Sequence, residues 1–339
     1  MILVTGGTGL VGSRLLFDLV KSGETVKVLK RPESDISSVK KLFFQNGDHD
    51  ENLFKKISWI DGDIRDFFSV MEAMQDVEKV YHCAASVSFN RKDKEIIFKT
   101  NEQGTANMVN ASLVKGIKKF CYVSSVATLG KTLHKELITE ETFSDILVDN
   151  SNYANSKYAA EREVWRAAAE GLNMVIVNPS IILASGNWRK SSASMFLQAY
   201  KGLPFYTSGS AGFIDVRDLS NSMIRLMESE ITKERFIISA ENCSYKTIFE
   251  MICKELGKKE PKLKAIPFLT EIAWRAEALK SKITGKQGAL TKEIARASQE
   301  KNYFSNAKIK KALNYEFLPL QQSVKDICAI FLQEVSLKK

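Results

Sequence analysis

Tyr153 and Lys157 stand four residues apart in the string Tyr153-Ala-Asn-Ser-Lys157. On a helix this spacing puts both side chains on one face. An ammonium beside a phenol lowers the phenol's pKa from its usual ~10, and a tenfold change in acidity corresponds to ~1.4 kcal/mol. A tyrosine tuned in this way can give a proton to a carbonyl oxygen, or take one from an alcohol, near neutral pH. The spacing alone is also that of an ordinary amphipathic helix, so its companions decide the reading. Val123-Ser-Ser125 ends an apolar run. A serine at that point can hydrogen-bond an oxygen undergoing chemistry, although a serine cap looks the same in sequence.

Such groups need elements to position them. The chain opens Met1-Ile-Leu-Val-Thr-Gly-Gly-Thr-Gly-Leu-Val-Gly12. Ile2–Val4 reads as a buried strand. The turn carries Gly6, Gly9 and Gly12, and a helical pattern follows through Leu15, Leu16, Leu19 and Val20. Strand, glycine turn and helix together predict a phosphate cradle for a dinucleotide. Gly6 permits the turn, Gly9 lets backbone approach the pyrophosphate, and Gly12 lets helix pack on strand. The helix N-terminus supplies N–H groups and partial positive charge. Further strands are predicted at Thr25–Leu29, Ile57–Ile60, Lys79–His82, Phe120–Val123 and Val175–Val177. Helices are predicted at Phe67–Met74, Glu95–Val114 and Tyr153–Ala169. This alternation predicts an α/β fold, a Rossmann-type doubly wound parallel sheet covered on both faces. Pro32–Asn52 reads as a loop or short irregular helix.

Two more strand ends then acquire meaning. His82-Cys-Ala-Ala85 closes one strand, where the small Ala84 and Ala85 would admit the cofactor. Asp63 and Ile64 follow another, placed for an adenine amino group and its apolar face. After Pro179 helices dominate, with short strands near Phe213 and at Arg235–Ile238. The expected division is therefore a dinucleotide-binding domain over 1–178 and a smaller, mainly helical C-terminal substrate lobe over 179–339. Some segments near 213–230 are expected to return to the first domain.

Composition narrows the function classes. The 339 residues are 44% hydrophobic and 26% charged, as in a water-soluble globular chain large enough for this fold. No apolar run reaches the ~18 residues of a spanning helix. The chain starts at its first strand, so the expectation is no signal peptide and a cytoplasmic protein. The five cysteines, Cys83, Cys121, Cys243, Cys253 and Cys328, form no CxxC pair and read as free thiols. With only three histidines, no metal site is expected. The net charge of +9 reads as a lysine-rich surface rather than a nucleic-acid site, because no cluster of cations is long.

The full set of motifs resembles an extended short-chain dehydrogenase/reductase of the NAD-dependent epimerase/dehydratase superfamily. The strings that carry the resemblance are Thr5–Gly12, Asp61-Gly-Asp-Ile64, His82–Ala85, Asn101-Glu-Gln-Gly-Thr105, Tyr122–Gly130, Tyr153–Lys157, Val177-Asn-Pro-Ser180, Phe213–Asp218 and Ser305–Tyr315. They span nearly the whole chain. Two of them, Ser124–Gly130 and Val177–Ser180, resemble the dihydroflavonol-reductase and 3β-hydroxysteroid-dehydrogenase-like branch. The resemblance implies that Tyr153 is the general acid/base and that Lys157 holds the nicotinamide ribose and tunes Tyr153. It also implies that Ser125 polarises the carbonyl, that Ser124 is structural, and that Asn101 supports the hydrogen-bond network. Pro179 and Ile182 would border the nicotinamide. Gly6, Thr8, Gly9, Leu10, Val11 and Gly12 fall to the pyrophosphate turn.

One departure bears on cofactor choice. NAD-preferring folds of this kind place a carboxylate after the second strand to bind the ribose 2′-hydroxyl. Here that strand runs into Leu29-Lys30-Arg31-Pro32. A guanidinium suits a 2′-phosphate, so Arg31, helped by Lys30, favours NADP(H), with NAD(H) as the alternative. Phe89, Trp188 and Tyr206, with Ser125, are assigned to a partly apolar small-molecule substrate. Segment 267–283 could contact lipid, but packing on the lobe is favoured. The expected activity is a carbonyl reductase or alcohol dehydrogenase. Its rivals are an NAD-retaining nucleotide-sugar epimerase or dehydratase and a non-catalytic dinucleotide sensor. The protein is expected to be a homodimer or monomer.

Overall fold

The computed structural model describes residues 1–45, 51–88, 90–130, 137–142, 151–265, 274–275 and 292–336. Seven strands make the main sheet: β1 (Ile2–Thr5), β2 (Val26–Lys30), β3 (Ile57–Asp61), β4 (Lys79–His82), β5 (Lys119–Val123), β6 (Met174–Pro179) and, much later in the chain, Glu234–Ile238. Every pairing in it is parallel. From one edge the order runs Glu234–Ile238, β6, β5, β4, β1, β2, β3. The order turns back between β1 and β4. Beyond the carboxyl ends of those two strands lies the crevice where doubly wound sheets take their ligands.

Burial explains why these runs are strands. Every residue of β1, β5 and β6 is buried, so each run is largely apolar on both faces, as a parallel sheet covered by helices requires. One face packs Leu15, Leu16, Phe17, Met223 and Leu226 from α1 (Leu10–Lys21) and the helix Val216–Glu228. The other packs Met108, Val109, Ala160, Val164 and Ala167 from the helices Gly104–Lys115 and Asn152–Ala169. Glycine ends Gly104–Lys115: Gly116 takes φ +63°, the left-handed cap that stops a helix without steric cost. The polar stretch after β2 forms two short helices, Ser37–Gln45 and Glu51–Lys55.

The chain leaves the sheet after Pro179 and comes back. Helix Val216–Glu228 lies against α1, and the strand Glu234–Ile238 pairs with β6 in the register Phe236 to Val177. Sequence alone assigns that strand to the lobe; it is the outermost strand of the main sheet instead. The lobe has its own small sheets, Ile181–Leu183 with Ser210–Asp215 and Glu241–Ser244, and Phe205–Tyr206 with Leu263–Lys264. Its core gathers Trp188, Phe196, Phe213, Ile252, Cys328 and Phe331. Among the described residues, no helix is long and apolar enough to cross a membrane. None of the five cysteines is in a disulfide.

Candidate active site

The glycine turn is packed against the end of β4. Gly6 has φ +69°, and a Cβ there would stand 2.6 Å from the Ala84 nitrogen. A Cβ on Gly12 would stand 2.2 Å from the Gly6 carbonyl oxygen, closer than real Cβ atoms come. Gly7, which the motif does not single out, is packed against side chains instead: a Cβ would meet Val28 Cγ1 at 2.6 Å. Gly9 is different. It is exposed, and a Cβ would approach only the Gly6 carbonyl, at 3.2 Å. Gly9 is also the N-cap of α1, no side chain caps that end, and no acidic residue lies in its first turn. Those orphan N–H groups and the absence of competing carboxylates fit a pyrophosphate. Thr8, Leu10 and Val11 border the same end, each half-buried. Gly12→Ala is expected to weaken dinucleotide binding at least about tenfold, ~1.4 kcal/mol, as read by calorimetry. Undiminished affinity would separate this turn from the cofactor.

A histidine staples the turn in place. His82 is fully buried, with Nδ1 at 2.6 Å from Thr5 Oγ1 and Nε2 at 3.0 Å from Thr105 Oγ1. The Ala84 N–H donates to Thr5 Oγ1 at 3.3 Å. Burial pushes the imidazole down to about 3, helped by the Lys157 charge, so the ring is neutral. Ala84 and Ala85 follow after Cys83, Ala84 half-buried and Ala85 exposed.

At the adenosine end, Lys30 is committed to an ion pair with Asp61. The help expected from Lys30 beside Arg31 would have to compete with that ion pair. Arg31 is more than half exposed and pairs with Glu33 at 3.3 Å. Asp63 is gripped by Arg65, whose Nη2 lies 2.6 Å from Asp63 Oδ2. The Arg65 hydrogen bond holds the Asp63 carboxyl below its usual range, and the Arg31 charge adds to this. Sequence reasoning misses Arg65 because it follows the motif rather than filling it. Ile64 is buried against Gly104, where an added Cβ would stand 2.7 Å from its Cδ1.

The residues assigned to proton handling lie on three elements. Ser151 caps the helix Asn152–Ala169, accepting from the Ala154 N–H at 3.1 Å. Tyr153 and Lys157 follow on one face. Lys157 is 1% exposed; its Nζ donates to the Val123 carbonyl at 2.7 Å and lies 4.3 Å from the Tyr122 ring centroid. Burial pushes this ammonium down to about 7, while Glu161 acts the other way. Ser125 opens a short helical turn and accepts from the Ala127 N–H at 3.1 Å. Burial raises the Tyr153 hydroxyl above its ordinary value, and its hydrogen bond with Ser125 opposes the rise. The net shift in the cofactor-free chain is thus upward, where spacing leads one to expect a lowering by Lys157. Burial is the largest cause of that direction, and the lysine ammonium donates to a backbone carbonyl.

Asn101 sits in a π-helical turn, Lys99–Gln103, inside what the sequence shows as one continuous helix. Such turns occur often at functional sites. Its amide accepts from the Ser86 N–H at 2.7 Å and donates to the Ser86 carbonyl at 3.0 Å and to Ser156 Oγ at 2.9 Å. It thus ties the loop after β4 to the tyrosine helix. Pro179 is buried at the end of β6, and Ile182 is half-buried in the next strand.

The substrate residues fare unevenly. Trp188 is a correction. It is buried in the lobe core between Phe196 and Phe331, with its indole N–H donated to Glu334 at 2.8 Å, so it does not face the cleft. Tyr206 is half-buried beneath the Lys246 ammonium, 5.2 Å from its ring centroid. Phe89 lies outside the described residues, as does segment 267–283 apart from Trp274 and Arg275.

A doubly wound sheet with a glycine cradle at its switch point, and a Tyr–Lys–Ser–Asn group at its carboxyl edge, defines a dinucleotide-dependent class of protein. The chain belongs to the NAD dependent epimerase/dehydratase family, whose pattern matches residues 2–239. That family binds NAD(P) and contains reductases and epimerases. A protein of Synechocystis sp., provisionally named dihydroflavonol 4-reductase, is 27% identical over 331 residues, covering 95% of this chain and 92% of that one. The 3β-hydroxysteroid-dehydrogenase/decarboxylase isoform 2 of Arabidopsis thaliana is 25% identical, covering 95% of this chain and 60% of its own length. The crystal structure of gox2253 superposes with a TM-score of 0.82 at 28% identity, covering 98% of each chain.

Proposed function

We propose that this protein is an NADP(H)-dependent carbonyl reductase or alcohol dehydrogenase acting on a partly apolar small molecule. The observation that carries this reading is the convergence of Tyr153, Ser125 and buried Lys157 at the carboxyl edge of the sheet, next to the glycine cradle. When bound, the nicotinamide supplies or accepts the hydride. The chain does the rest. Ser125 orients and polarises the carbonyl oxygen. Tyr153 gives its proton to that oxygen in reduction and takes it back in oxidation. Lys157 would hold the nicotinamide ribose, and Asn101 keeps the loop after β4 fixed to the tyrosine helix. Val87, next to the Ser86 that Asn101 holds, is 58% exposed, which supports an apolar contact for the substrate.

A specific observation favours reduction over epimerisation of a nucleotide sugar, whose diphosphate needs cations in the lobe. Arg217 is held by Asp215 and Asp326, both at 2.7 Å. Arg225 stacks on Tyr315, and Arg235 binds the Glu140 carbonyl and Glu161. Three of the four candidates, Arg189 being the other, are thus engaged in holding the fold.

Cofactor choice is tested at Arg31. A charge-assisted arginine–phosphate pair exceeds a neutral hydrogen bond by about 1–2 kcal/mol, so NADP is expected to bind about tenfold tighter than NAD at low salt. Added salt narrows the gap, because the pair is exposed. Arg31→Asp is expected to reverse the order in a fluorescence titration. Equal affinities in the parent protein, or an Arg31→Asp variant that still prefers NADP, would remove Arg31 from cofactor choice.

A further inference from the structure

Behind Ser125 lies a buried polar cluster that proton transfer does not use. Its centre is Glu161, 3% exposed and one helical turn beyond Lys157. Ser124 Oγ, Thr128 Oγ1 and Asn178 Nδ2 approach Glu161 Oε2 at 2.5, 2.9 and 3.0 Å. Arg235 and Trp165 donate to Oε1 at 3.1 and 3.4 Å. Two of these donors also hold the Ser125 backbone. Asn178 Nδ2 lies 3.1 Å from the Ser125 carbonyl, and Thr128 Oγ1 lies 2.9 Å from it.

Counting hydrogens orders the cluster. A hydroxyl has one to give and an amide NH₂ has two. If Ser124 and Thr128 both donate to the carboxylate, the Asn178 amide can serve the Ser125 carbonyl and Thr128 Oγ1, 3.0 Å away. A chain of donors then runs from the Ser125 backbone through Asn178 and Thr128 to Glu161. Arg235 clamps the other carboxylate oxygen, and also binds the Glu140 carbonyl on the strap 137–142.

We propose that Glu161 is a positioning residue for this site: it fixes the Ser125 turn through Ser124, Thr128 and Asn178, and presents a carboxylate to the Lys157 side of the same helix. The proposal rests on Ser125 and Lys157 having the roles given above. Lys157 lies over the Tyr122 ring on β5 and is within electrostatic reach of Glu161 on its own helix and of His82 and Cys83 at the end of β4. His82 is neutral and burial raises the Cys83 thiol to about 12, so Glu161 is the one carboxylate in this group. It opposes the loss of the lysine's proton.

The test separates charge from geometry and needs no substrate for its first arm. In the cofactor-free protein, the Lys157 ¹³Cε resonance is followed against pH. Glu161→Gln is expected to lower the midpoint by about one pH unit, the scale of a nearby unlike charge. Thr128→Val keeps the carboxylate and removes one of the two side chains that join it to the Ser125 carbonyl, leaving Asn178. It is expected to leave that midpoint unchanged and to lower kcat about tenfold to a hundredfold, the cost of small misplacements, with the cofactor Kd unchanged. If Glu161→Gln fails to fold, Thr128→Val alone decides. An unmoved Lys157 midpoint in Glu161→Gln, or full kcat in Thr128→Val, overturns the proposal. Parent protein inactive on every carbonyl, with the Lys157 shift still present in Glu161→Gln, would instead contradict the reductase reading.

Discussion

Tyr153→Phe is expected to lose about two to four orders of magnitude in turnover, the usual contribution of a positioned acid/base, while binding dinucleotide as the parent does. The phenyl ring keeps the packing of the helix and removes only the hydroxyl that Ser125 engages. The two readouts must therefore part. Steady-state kinetics should show the fall in kcat, and calorimetry should show an unchanged cofactor Kd. Burial raises this hydroxyl in the cofactor-free protein, so it keeps its proton across the neutral range. A variant that turns over normally would remove Tyr153 from the chemistry. One that loses cofactor instead would make the hydroxyl a binding group.

Lys157→Met is expected to abolish turnover, by about a hundredfold or more, and to raise the melting temperature of the cofactor-free protein at the same time. The sign follows from burial. The ammonium falls from its ordinary 10.5 to about 7, because the folded chain disfavours the charged form. Below about pH 7 the folded protein carries the whole cost of that buried charge. As pH rises from 7 to 10.5 the folded state has released a proton that the unfolded state still binds, so stability rises with pH over that window. Methionine fills similar volume and carries no charge. It gives up the bond to the Val123 carbonyl, worth about 1 kcal/mol, and the contact with Tyr122. The variant should be the more stable at about pH 6, with the gap closing toward about pH 10. Scanning calorimetry at the two pH values checks this. A lower melting temperature at about pH 6 would show that the lysine is compensated where it lies.

How far the chain can be read depends on how local each feature is. The glycine turn and the tyrosine helix declare themselves within a few residues, because backbone approach and helical spacing are local demands. The buried strands do so too, since a sheet covered on both faces leaves no polar alternation to confuse with a loop. Trp188 shows the limit. An aromatic after a strand end looks the same whether it faces a cleft or a core. Its partner, Glu334, is 146 residues away. The return of Glu234–Ile238 to the main sheet is equally non-local, as is the grip of Arg235 on Glu161. The ion pair of Lys30 cannot be read locally either, because Asp61, its partner on the neighbouring strand, is 31 residues on. The π turn at Asn101 inserts a residue into a helix whose apolar pattern runs through unbroken, so no residue type marks it.

Net hydride transfer to a carbonyl, with consumption of the cofactor, is what distinguishes a reductase from an epimerase on the same fold. Its most direct test follows NADPH deuterated at the nicotinamide C4, with a panel of partly apolar ketones and aldehydes, by nicotinamide absorbance and by mass spectrometry of the products. The predicted result is oxidation of NADPH matched one to one by an alcohol carrying a single deuterium on the former carbonyl carbon. Cofactor that stays bound and unconsumed with every carbonyl, alongside turnover of a nucleotide sugar with no net change in NAD, would contradict the account.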